Sequence, residues 1–365
     1  MSEVVNIPQL RFPEFGDNWE EKKLGNVTSI VMGQSPDSTS YNSNGIGLYL
    51  IQGNADIKKR KTLPRVWTDT PTKECKVGDI IMTVRAPVGA VAKSIHNACI
   101  GRGVCAIRNN QHSVSNYIYQ FLLSFEKKWV KFEQGSTFTA VNTKDVKSLK
   151  LILPPVQEQT KIAAFLTAVD NKIEQLSKKQ ALLGEYKKGL MQQIFSQAIR
   201  FKADDGSDFP DWEEKKLGDV SDCLDNRRQP LNGAERNQMK GDIPYYGANG
   251  IVDYVNDYIF DEELVLLAED GGNFNDFSSK PIAQKISGKA WVNNHAHILK
   301  AKNIIATDFL FYSLVHKDIR RYIVGGSRAK LNKSDLLSIK TILPPLEEQT
   351  KIANFLSSID TKIEQ

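Results

Sequence analysis

Two segments of the chain combine basic side chains with aromatic or amide side chains, and both could contact nucleic acid. The first, beside Trp67, holds Lys58, Lys59, Arg60, Lys61 and Arg65. The second, residues 226–240, holds the cations Arg227, Arg228, Arg236 and Lys240 and the amides Asn226, Gln229, Asn232, Asn237 and Gln238. Arginine and amide side chains read base edges in the major groove, and lysines contact phosphates. One such run is more often a solvated surface, but two of them, one in each half of the chain, favour nucleic-acid binding.

Acidic residues in the first half suggest a different chemistry. Pro36-Asp37 and Glu74-Cys75-Lys76 fit the loosely spaced PD…ExK pattern of nucleases that hold Mg²⁺ between two acids. The gap between the two parts is unconstrained, so chance matches are common, and the second half has no counterpart. The sequence also lacks a phosphate-binding P-loop, a dinucleotide-binding glycine motif and a nucleophile elbow. We therefore predict a chain without catalytic residues, and a stand-alone nuclease using Asp37 and Glu74 is the alternative.

Metal binding and disulfide formation are not expected from the histidines and cysteines. His295 and His297 would share one face of a strand, but no third ligand lies near them in the sequence, and we predict no metal. The four cysteines form no CxxC pair and are expected to be small core residues in a reducing cytoplasm: Cys75, Cys99, Cys105 and Cys223. The net charge of +5 permits an acidic partner, and the sequence shows no apolar run of membrane-spanning length.

The elements that carry these residues come from a tandem duplication. Residues 19–27 return as 212–220 with eight of nine positions identical, and residues 149–175 return as 339–365 with 18 of 27 identical. The offsets, 193 and 190, are nearly equal, so one unit of roughly 190 residues occurs twice. The segments between the matched ends are much less alike. This pattern predicts one scaffold that presents two different surfaces.

A long helix is predicted after each globular part. Beyond Pro154-Pro155, apolar residues recur with the 4-3 spacing of a coiled coil, and a helix over residues 156–197 would be roughly 60 Å long. The predicted seam comprises Ile162, Leu166, Val169, Ile173, Leu176, Leu183 and Leu190, and in the second copy Ile352, Leu356, Ile359 and Ile363. Gln180 and Lys187 interrupt it. Because the second series stops at Gln365, we expect that helix to continue beyond this sequence or to take its partner from elsewhere.

These observations define the expected fold class. It is α+β, with two tandem mixed α/β domains that are separated and joined by long antiparallel coiled-coil helices and related by an approximate twofold. Short strands between turns fill the middle of each domain, and apolar helices follow at residues 115–130 and 307–323. The expected boundaries are a first domain, a central helix, a second domain and a distal helix that looks truncated: 1–155, 156–198, 199–345 and 346–365.

The pattern resembles the specificity subunits of type I restriction–modification systems. The twin LPPxxEQxKIAxFL segments, residues 153–166 and 343–356, are similar to the start of that family's central and distal helices. Gly33-Gln-Ser-Pro36 resembles the opening of many of its target recognition domains. Further similar stretches are Gly101-Arg-Gly103, residues 242–249 and 294–297, and the Gly-Ser turns at Gly135-Ser136 and Gly326-Ser327 ahead of Asn142…Asp145 and Asn332…Asp335.

The resemblance implies a noncatalytic subunit that binds double-stranded DNA and reads a split target. Two modification subunits would bind S-adenosylmethionine and methylate adenine, and two restriction subunits would use ATP for translocation and cleavage. S-adenosylmethionine, ATP and Mg²⁺ would therefore belong to the partners, and this subunit would hold no cofactor. A coiled-coil adaptor that binds no DNA is the second alternative.

The basic runs and the family-like stretches together give the residues expected to contact DNA. In the first domain these are Gln34, Ser35, Lys58, Lys59, Arg60, Lys61, Arg65, Arg85 and Arg102. In the second domain they are Arg227, Arg228, Gln229, Tyr245, Tyr246, Asn249, Asn294, His295 and Arg328.

Overall fold

The computed structural model describes residues 8–135, 140–326 and 329–365, with the backbone alone for 130–135. The chain divides into two compact units, residues 1–176 and 177–365, which we call unit 1 and unit 2. The division falls inside one helix of 40 residues.

Unit 1 contains thirteen strands, three helices and the first half of the long helix. The strands are β1 (Glu20–Lys23), β2 (Thr28–Met32), β3 (Tyr41–Asn42), β4 (Leu48–Ile51), β5 (Ile57–Lys58), β6 (Lys61–Thr62), β7 (Val66–Thr68), β8 (Glu74–Cys75), β9 (Ile80–Thr83), β10 (Val91–Lys93), β11 (Ala98–Ile100), β12 (Val104–Asn109) and β13 (Lys150–Leu153). The helices are α1 (Leu24–Val27), α2 (Ser115–Gly135), α3 (Thr143–Ser148) and α4 (Val156–Phe195). These counts refer to the described residues.

The middle of unit 1 is built from two mixed sheets. One has six strands in the order β2-β12-β9-β10-β6-β5, and the other has five in the order β3-β7-β4-β11-β8. Strands β9 and β12 are buried along most of their length, and their side chains pack on Ile118 and Leu122 of α2. Cys75, Cys99 and Cys105 are buried and free, as predicted for core cysteines.

Unit 2 contains the second half of α4, and its described part has twelve strands and five further helices. The strands are β14 (Glu213–Lys216), β15 (Ser221–Cys223), β16 (Lys240–Gly247), β17 (Gly250–Val255), β18 (Phe260–Asp261), β19 (Leu264–Ala268), β20 (Ala283–Ile286), β21 (Lys289–Val292), β22 (Ala296–Ala301), β23 (Ile323–Val324), β24 (Lys330–Leu331) and β25 (Lys340–Leu343). The helices are α5 (Leu217–Val220), α6 (Gly233–Gln238), α7 (Thr307–Leu314), α8 (Lys333–Ser338) and α9 (Leu346–Glu364).

Two four-stranded sheets form the middle of unit 2. Their strand orders are β15-β22-β19-β20 and β17-β16-β21-β18. Strand β19 is fully buried and packs with Phe309 and Leu310 of α7. Helix α7 ends at Leu314, well before residue 323 where the sequence predicted it to end.

The repeated segments form the same frame in both units. In unit 1, β1 pairs antiparallel with β13, and Glu20 lies opposite Leu153. In unit 2, β14 pairs antiparallel with β25, and Glu213 lies opposite Leu343. The strands at the two ends of each repeat therefore pair with each other. We call the pair β1–β13 in unit 1 and the pair β14–β25 in unit 2 the frame of that unit. The dissimilar middle of each unit lies between its two frame strands. This confirms the prediction of two tandem mixed α/β domains.

A buried carboxylate locks each frame to the helix that follows. Glu158 is fully buried, and both its oxygens accept hydrogen bonds from Arg11, at 2.6 and 2.7 Å, while Trp19 Nε1 donates at 3.1 Å. Glu348 repeats the arrangement with Arg200 at 3.3 and 2.8 Å and with Trp212 at 3.0 Å. We call each trio the frame anchor.

The long helix exists as predicted, but its seam is buried only in part. Met191 and Ile194 of α4 lie in one core with Ile352 and Leu356 of α9. Nearer the start of unit 2, Gln180 Nε2 donates to the Ile363 carbonyl at 3.3 Å and Lys187 pairs with Asp360, so the two helices run antiparallel.

The unit 1 part of the seam behaves differently. Val169, Ile173 and Leu176 are exposed. Within this chain these three seam positions have no covering helix among the described residues, and their role in a coiled coil stays a prediction. Within unit 2, α9 packs along the C-terminal half of α4.

Candidate nucleic-acid interface

In unit 1, three chain segments meet at glycines and bring polar side chains together. A Cβ at Gly33 would lie 2.1 Å from the Gly101 carbonyl oxygen, and one at Gly103 would lie 2.1 Å from the Gln52 carbonyl oxygen. Only glycine permits such close backbone approach. Hydrogen bonds from Gln34 N to Ile100 O at 2.9 Å and from Gly33 N to Val104 O at 3.0 Å hold the junction.

The junction presents Gln34, Ser35, Gln52 and Arg102, which we call the junction patch. Ser35 Oγ accepts from the Arg102 backbone N–H at 3.1 Å and from Arg102 Nε at 3.4 Å. Gln34, Gln52 and Arg102 are exposed. Sequence reasoning missed Gln52, which directly follows the buried end of β4, as Arg102 follows the buried strand β11.

The basic run of unit 1 forms a hairpin whose cations divide into two groups. Arg60 pairs with Glu126 at 2.5 Å and donates to the Val91 carbonyl at 3.3 Å, and Arg65 lies 3.4 Å from Asp56. The side chains that remain exposed without a described ion pair are Lys58, Lys59 and Lys61. The hairpin turns at Lys59 and Arg60, which both have positive φ. The three lysines face solvent, whereas the ion pair of Arg60 with Glu126 holds the hairpin in place.

The six-stranded sheet separates this hairpin from the end of β2. Strand β5 forms one edge of the sheet and β2 the other, so the sheet does not place Lys58 beside Gln34. Arg85 is exposed in the connection from β9 to β10.

The acids of the nuclease alternative have other partners. Asp37 Oδ1 accepts from Thr39 N at 2.9 Å and from Thr39 Oγ1 at 2.8 Å, and these bonds hold the pKa of Asp37 below its usual value. Asp37 therefore caps a short helical turn, and Glu74 is an exposed strand residue opposite Cys99.

In unit 2, the two arginines at the start of the basic run serve as structural anchors. Arg228 is half-buried and donates to Glu269 at 2.6 Å, to the Ala296 carbonyl at 2.9 Å and to the Asp225 carbonyl at 3.1 Å. Arg227 donates to Glu262 at 3.2 Å, and its guanidinium lies 4.5 Å from the centre of the Phe260 ring. Both guanidiniums already have carboxylate partners within unit 2. These contacts hold in place the loop that exposes Gln229.

The histidine pair of unit 2 is divided between two environments. His297 is buried, its Nδ1 lies 2.6 Å from Asp225 Oδ2, and its Nε2 lies 2.8 Å from the Leu331 carbonyl. Burial alone lowers the pKa of His297, but hydrogen bonds to Asp225, Cys223 and Leu331 outweigh it and raise the pKa to about 9. His297 is therefore an imidazolium at neutral pH.

Cys223, Asp225 and His297 bring their ligand atoms within 4.8 Å of one another, a grouping that the sequence spacing did not reveal. Cys223 lies at the end of β15, which pairs with β22 and so brings it beside His297. A metal would need a lone pair on His297, and a ring that donates from both nitrogens has none. The geometry describes a buried ion cluster, and the absence of a metal stays a prediction.

His295 lines an open cavity of about 490 Å³ in unit 2, which we call the unit 2 cavity. Its Nδ1 lies 2.6 Å from Asp270 Oδ1, and its backbone N–H donates to Asn293 Oδ1 at 2.8 Å. Asn249 Nδ2 donates to the Gly271 carbonyl at 2.8 Å and joins two of the surrounding loops. Asn294 is exposed beside them.

The tyrosines of this region differ in exposure. Tyr245 is buried, and its hydroxyl accepts from Leu231 N at 2.9 Å. The sequence-based expectation that Tyr245 contacts DNA is therefore corrected, because the side chain is only 1% exposed and its hydroxyl is bonded to the backbone of Leu231. Tyr246 is half-buried, and burial raises the pKa of its hydroxyl. Arg328, Ser136 and Ser327 lie outside the described residues.

Comparison with known proteins assigns the class that this architecture defines. The family model of the type I restriction modification DNA specificity domain matches residues 16–183 and again residues 210–365. The chain belongs to this family, and the two matches coincide with the two frames.

Individual relatives agree with this assignment. The chain is 38% identical over 204 residues to a putative type I restriction enzyme MjaX specificity subunit of Methanocaldococcus jannaschii, an alignment covering 55% of this chain and 46% of that protein. It is 24% identical to the MjaVIII specificity subunit of the same organism over 97% of this chain and 88% of the relative. The chain thus aligns with about half the length of the first relative.

A solved structure supports the fold over nearly the whole chain. The S subunit of a type I restriction–modification system from M. genitalium superimposes with a TM-score of 0.68, covers 98% of this chain and 93% of that one, and shares 18% identity. Among the described helices, none is long and apolar enough to cross a membrane.

Proposed function

We propose that this chain is a noncatalytic specificity subunit that binds double-stranded DNA and reads a split target, one part with each unit. The observation that carries the proposal is the twin frame holding two unlike middles. A function that needed only one binding surface would not require two copies of the frame, each around a different middle segment. Two readers with different side chains would recognise two different short sequences, as in other two-part DNA readers.

In unit 1, the proposed contacts are the junction patch and the exposed lysines of the hairpin. Gln34, Gln52 and Arg102 offer amide and guanidinium groups suited to base edges, and Lys58, Lys59 and Lys61 offer charge for phosphates. In unit 2, the contacts are Gln229 and the rim of the unit 2 cavity. Arg60, Arg227 and Arg228 support these surfaces through their carboxylate partners.

The partners we propose are two modification subunits and two restriction subunits. The exposed faces of the frames repeat the same ion pairs, Lys150–Glu21 at 2.7 Å and Lys340–Glu214 at 2.6 Å. Two equal surfaces suit two copies of one partner. S-adenosylmethionine, ATP and Mg²⁺ would be bound by those partners, and adenine methylation and restriction would occur there.

The test is methylome sequencing of cells that carry this gene and its modification subunit. The expected result is one methylated motif made of two short sequences with unspecified bases between them. Exchanging residues 28–147 for the matching part of a relative should change one half of the motif only. If both halves change, the two units do not read independently.

Two in vitro assays separate the alternatives. A gel shift on long random duplex at low salt should show binding, whereas the adaptor hypothesis predicts none. Incubation of the purified chain with duplex and Mg²⁺ should leave the DNA intact, whereas the nuclease hypothesis predicts cleavage that is abolished in Asp37→Asn.

A further inference from the structure

A short turn in unit 1 connects its two sheets. Residues 101–103 join β11 of the five-stranded sheet to β12 of the six-stranded sheet. Two backbone hydrogen bonds hold this turn, from Gly101 N to the Ile51 carbonyl at 2.8 Å and from Val84 N to the Gly103 carbonyl at 2.9 Å. The turn is therefore fixed to the ends of two neighbouring strands, β4 and β9.

Unit 2 has an equivalent turn at residues 293–295, which join β21 to β22. Asn293 N donates to the Tyr246 carbonyl at 3.1 Å, and Glu269 N donates to the His295 carbonyl at 2.8 Å. The strands that provide these partners also correspond. Strand β16 pairs parallel with β21 as β4 does with β11, and β19 pairs antiparallel with β22 as β9 does with β12. The two turns thus have the same place and the same backbone bonds in their units.

The central residues of the two turns are exposed and chemically different. They are Arg102 in unit 1 and Asn294 in unit 2. Phosphates are alike in every DNA sequence, so a phosphate contact does not require different side chains in the two units. Base edges differ between sequences, and two readers of unlike sequences need different side chains at the point of contact.

The guanidinium of Arg102 is positioned but not neutralised by the chain. Among the described residues no carboxylate pairs with Arg102, whereas Arg60 and Arg65 each have one. The Arg102 backbone N–H and Nε both donate to Ser35 Oγ, at 3.1 and 3.4 Å, and neither Nη atom bonds to a described residue. Ser35 therefore holds the side chain before any ligand arrives, which lowers the entropy lost on binding.

Two donors on one planar group match two acceptors on one base. Guanine is the base that presents two acceptors, N7 and O6, on its major-groove edge, and a bidentate arginine is its commonest specific contact. We infer that the turns at 101–103 and 293–295 are the equivalent base-reading turns of the two units, and that Arg102 reads a guanine. This inference rests on the proposed function and assigns to each unit a residue that determines specificity.

The experiment exchanges the two side chains. The full-length chain and its modification subunit are incubated with a library of duplexes of randomised sequence, and the bound fraction is sequenced. In Arg102→Asn, the preference for guanine at one position should fall by about tenfold, with the other positions unchanged. In Asn294→Arg, a preference for guanine of about tenfold should appear at one position in the other half of the motif.

A modified base tests the contact itself. Replacing the guanine by 7-deazaguanine, which lacks the N7 acceptor, should weaken binding of the wild type by about tenfold and that of Arg102→Asn by less than about twofold. Arg65→Asn is the matched control, because it removes the same charge from an exposed arginine of the same unit and should leave the motif unchanged. All three variants should keep the thermal unfolding temperature of the wild type.

The outcomes separate this inference from the proposed function. A motif that is unchanged in both exchange variants overturns the inference and leaves the proposed function standing. The same holds if Arg102→Asn weakens binding to all sequences equally, because the arginine would then contact a phosphate. A loss in Arg102→Asn without a gain in Asn294→Arg overturns the equivalence of the two turns. Absence of wild-type binding to any duplex at low salt overturns the proposed function, and the inference falls with it.

Discussion

The two copies of the repeated helix carry the same apolar stripe, but only the second copy buries it. Ile359 is 4% exposed, whereas its counterpart Val169 is 39% exposed. Ile352 and Leu356 share a core with Met191 and Ile194, which belong to the other end of α4. A heptad pattern therefore specifies a helix with an apolar face, but burial of that face depends on a second helix of sufficient length.

The frames differ from the helices in this respect, because the frame anchors of the two units make the same contacts. The trio at Glu158 and the trio at Glu348 use the same residue types and the same atoms. Gln159 and Gln349 also repeat their bonds, each accepting a backbone N–H through Oε1, at 2.8 and 2.9 Å, and donating to a proline carbonyl at 2.8 Å. Where partners come from within one repeat, duplication of sequence duplicates structure.

Removing the frame anchor should give the largest effect, and an equal one in both units. Glu158→Ala and Glu348→Ala each leave an arginine and a tryptophan N–H without their acceptor. Breaking a buried ion pair by deleting one partner costs about 3–5 kcal/mol. Chemical denaturation should show this loss for both variants. A loss in only one would mean that the two frames are not energetically equivalent.

Truncating a seam side chain should lower the free energy of unfolding by different amounts in the two copies of the helix. Leu356→Ala removes a fully buried side chain and should lower the free energy of unfolding by about 3 kcal/mol. The counterpart Leu166 is half-buried, and Leu166→Ala should cost less than about 1.5 kcal/mol. The comparison of the two midpoints in urea provides the measurement. Equal losses would show that the first copy is as well covered in solution as the second.

The buried histidine should make unit 2 sensitive to alkaline pH. The pKa of His297 is raised to about 9 in the folded chain, against roughly 6.5 unfolded, so its stabilisation is complete below pH 6.5 and is lost as the pH rises through 9. The expected loss is about 2–3 kcal/mol.

Urea denaturation between pH 6 and pH 10 measures this loss, and His297→Gln should remove that pH dependence. His96→Gln in unit 1 is the control, since His96 bonds a neutral hydroxyl of Thr62 at 3.0 Å. An unchanged pH profile in His297→Gln would contradict the assigned charge.

The smallest expected effect is a change in how strongly DNA affinity depends on salt concentration. Replacing Lys58, Lys59 and Lys61 by alanine removes at most three phosphate contacts, and the salt slope of log K should fall by roughly 0.9 for each of them. The control replaces three exposed lysines of α4: Lys172, Lys178 and Lys179. If both triple variants change the slope equally, the hairpin has no special place in the interface.

Much of the architecture could be predicted from local patterns. The proline pairs start α4 and α9, the duplicated unit occurs twice, and the apolar stripe forms a helix, because each depends on residues close in sequence or on a visible duplication. The frame anchor was missed, although Arg11-Phe12 and Arg200-Phe201 precede the repeated tryptophans and give a signal. Helix α7 was predicted too long, because the pattern of apolar side chains alone did not show that the helix ends at Leu314.

The candidate site was less predictable than the fold. The sequence alone determined that cations and amides are concentrated in the unlike middles of two like units. Only the tertiary structure decided which of them remain available, because Arg60 meets Glu126 and Arg228 meets Glu269, carboxylates 66 and 41 positions away. It also decided that His295 faces a cavity while His297 is buried. A long side chain satisfies its charge with the nearest acceptor in space, and nearness in space is a property of the folded sheets rather than of the spacing along the chain.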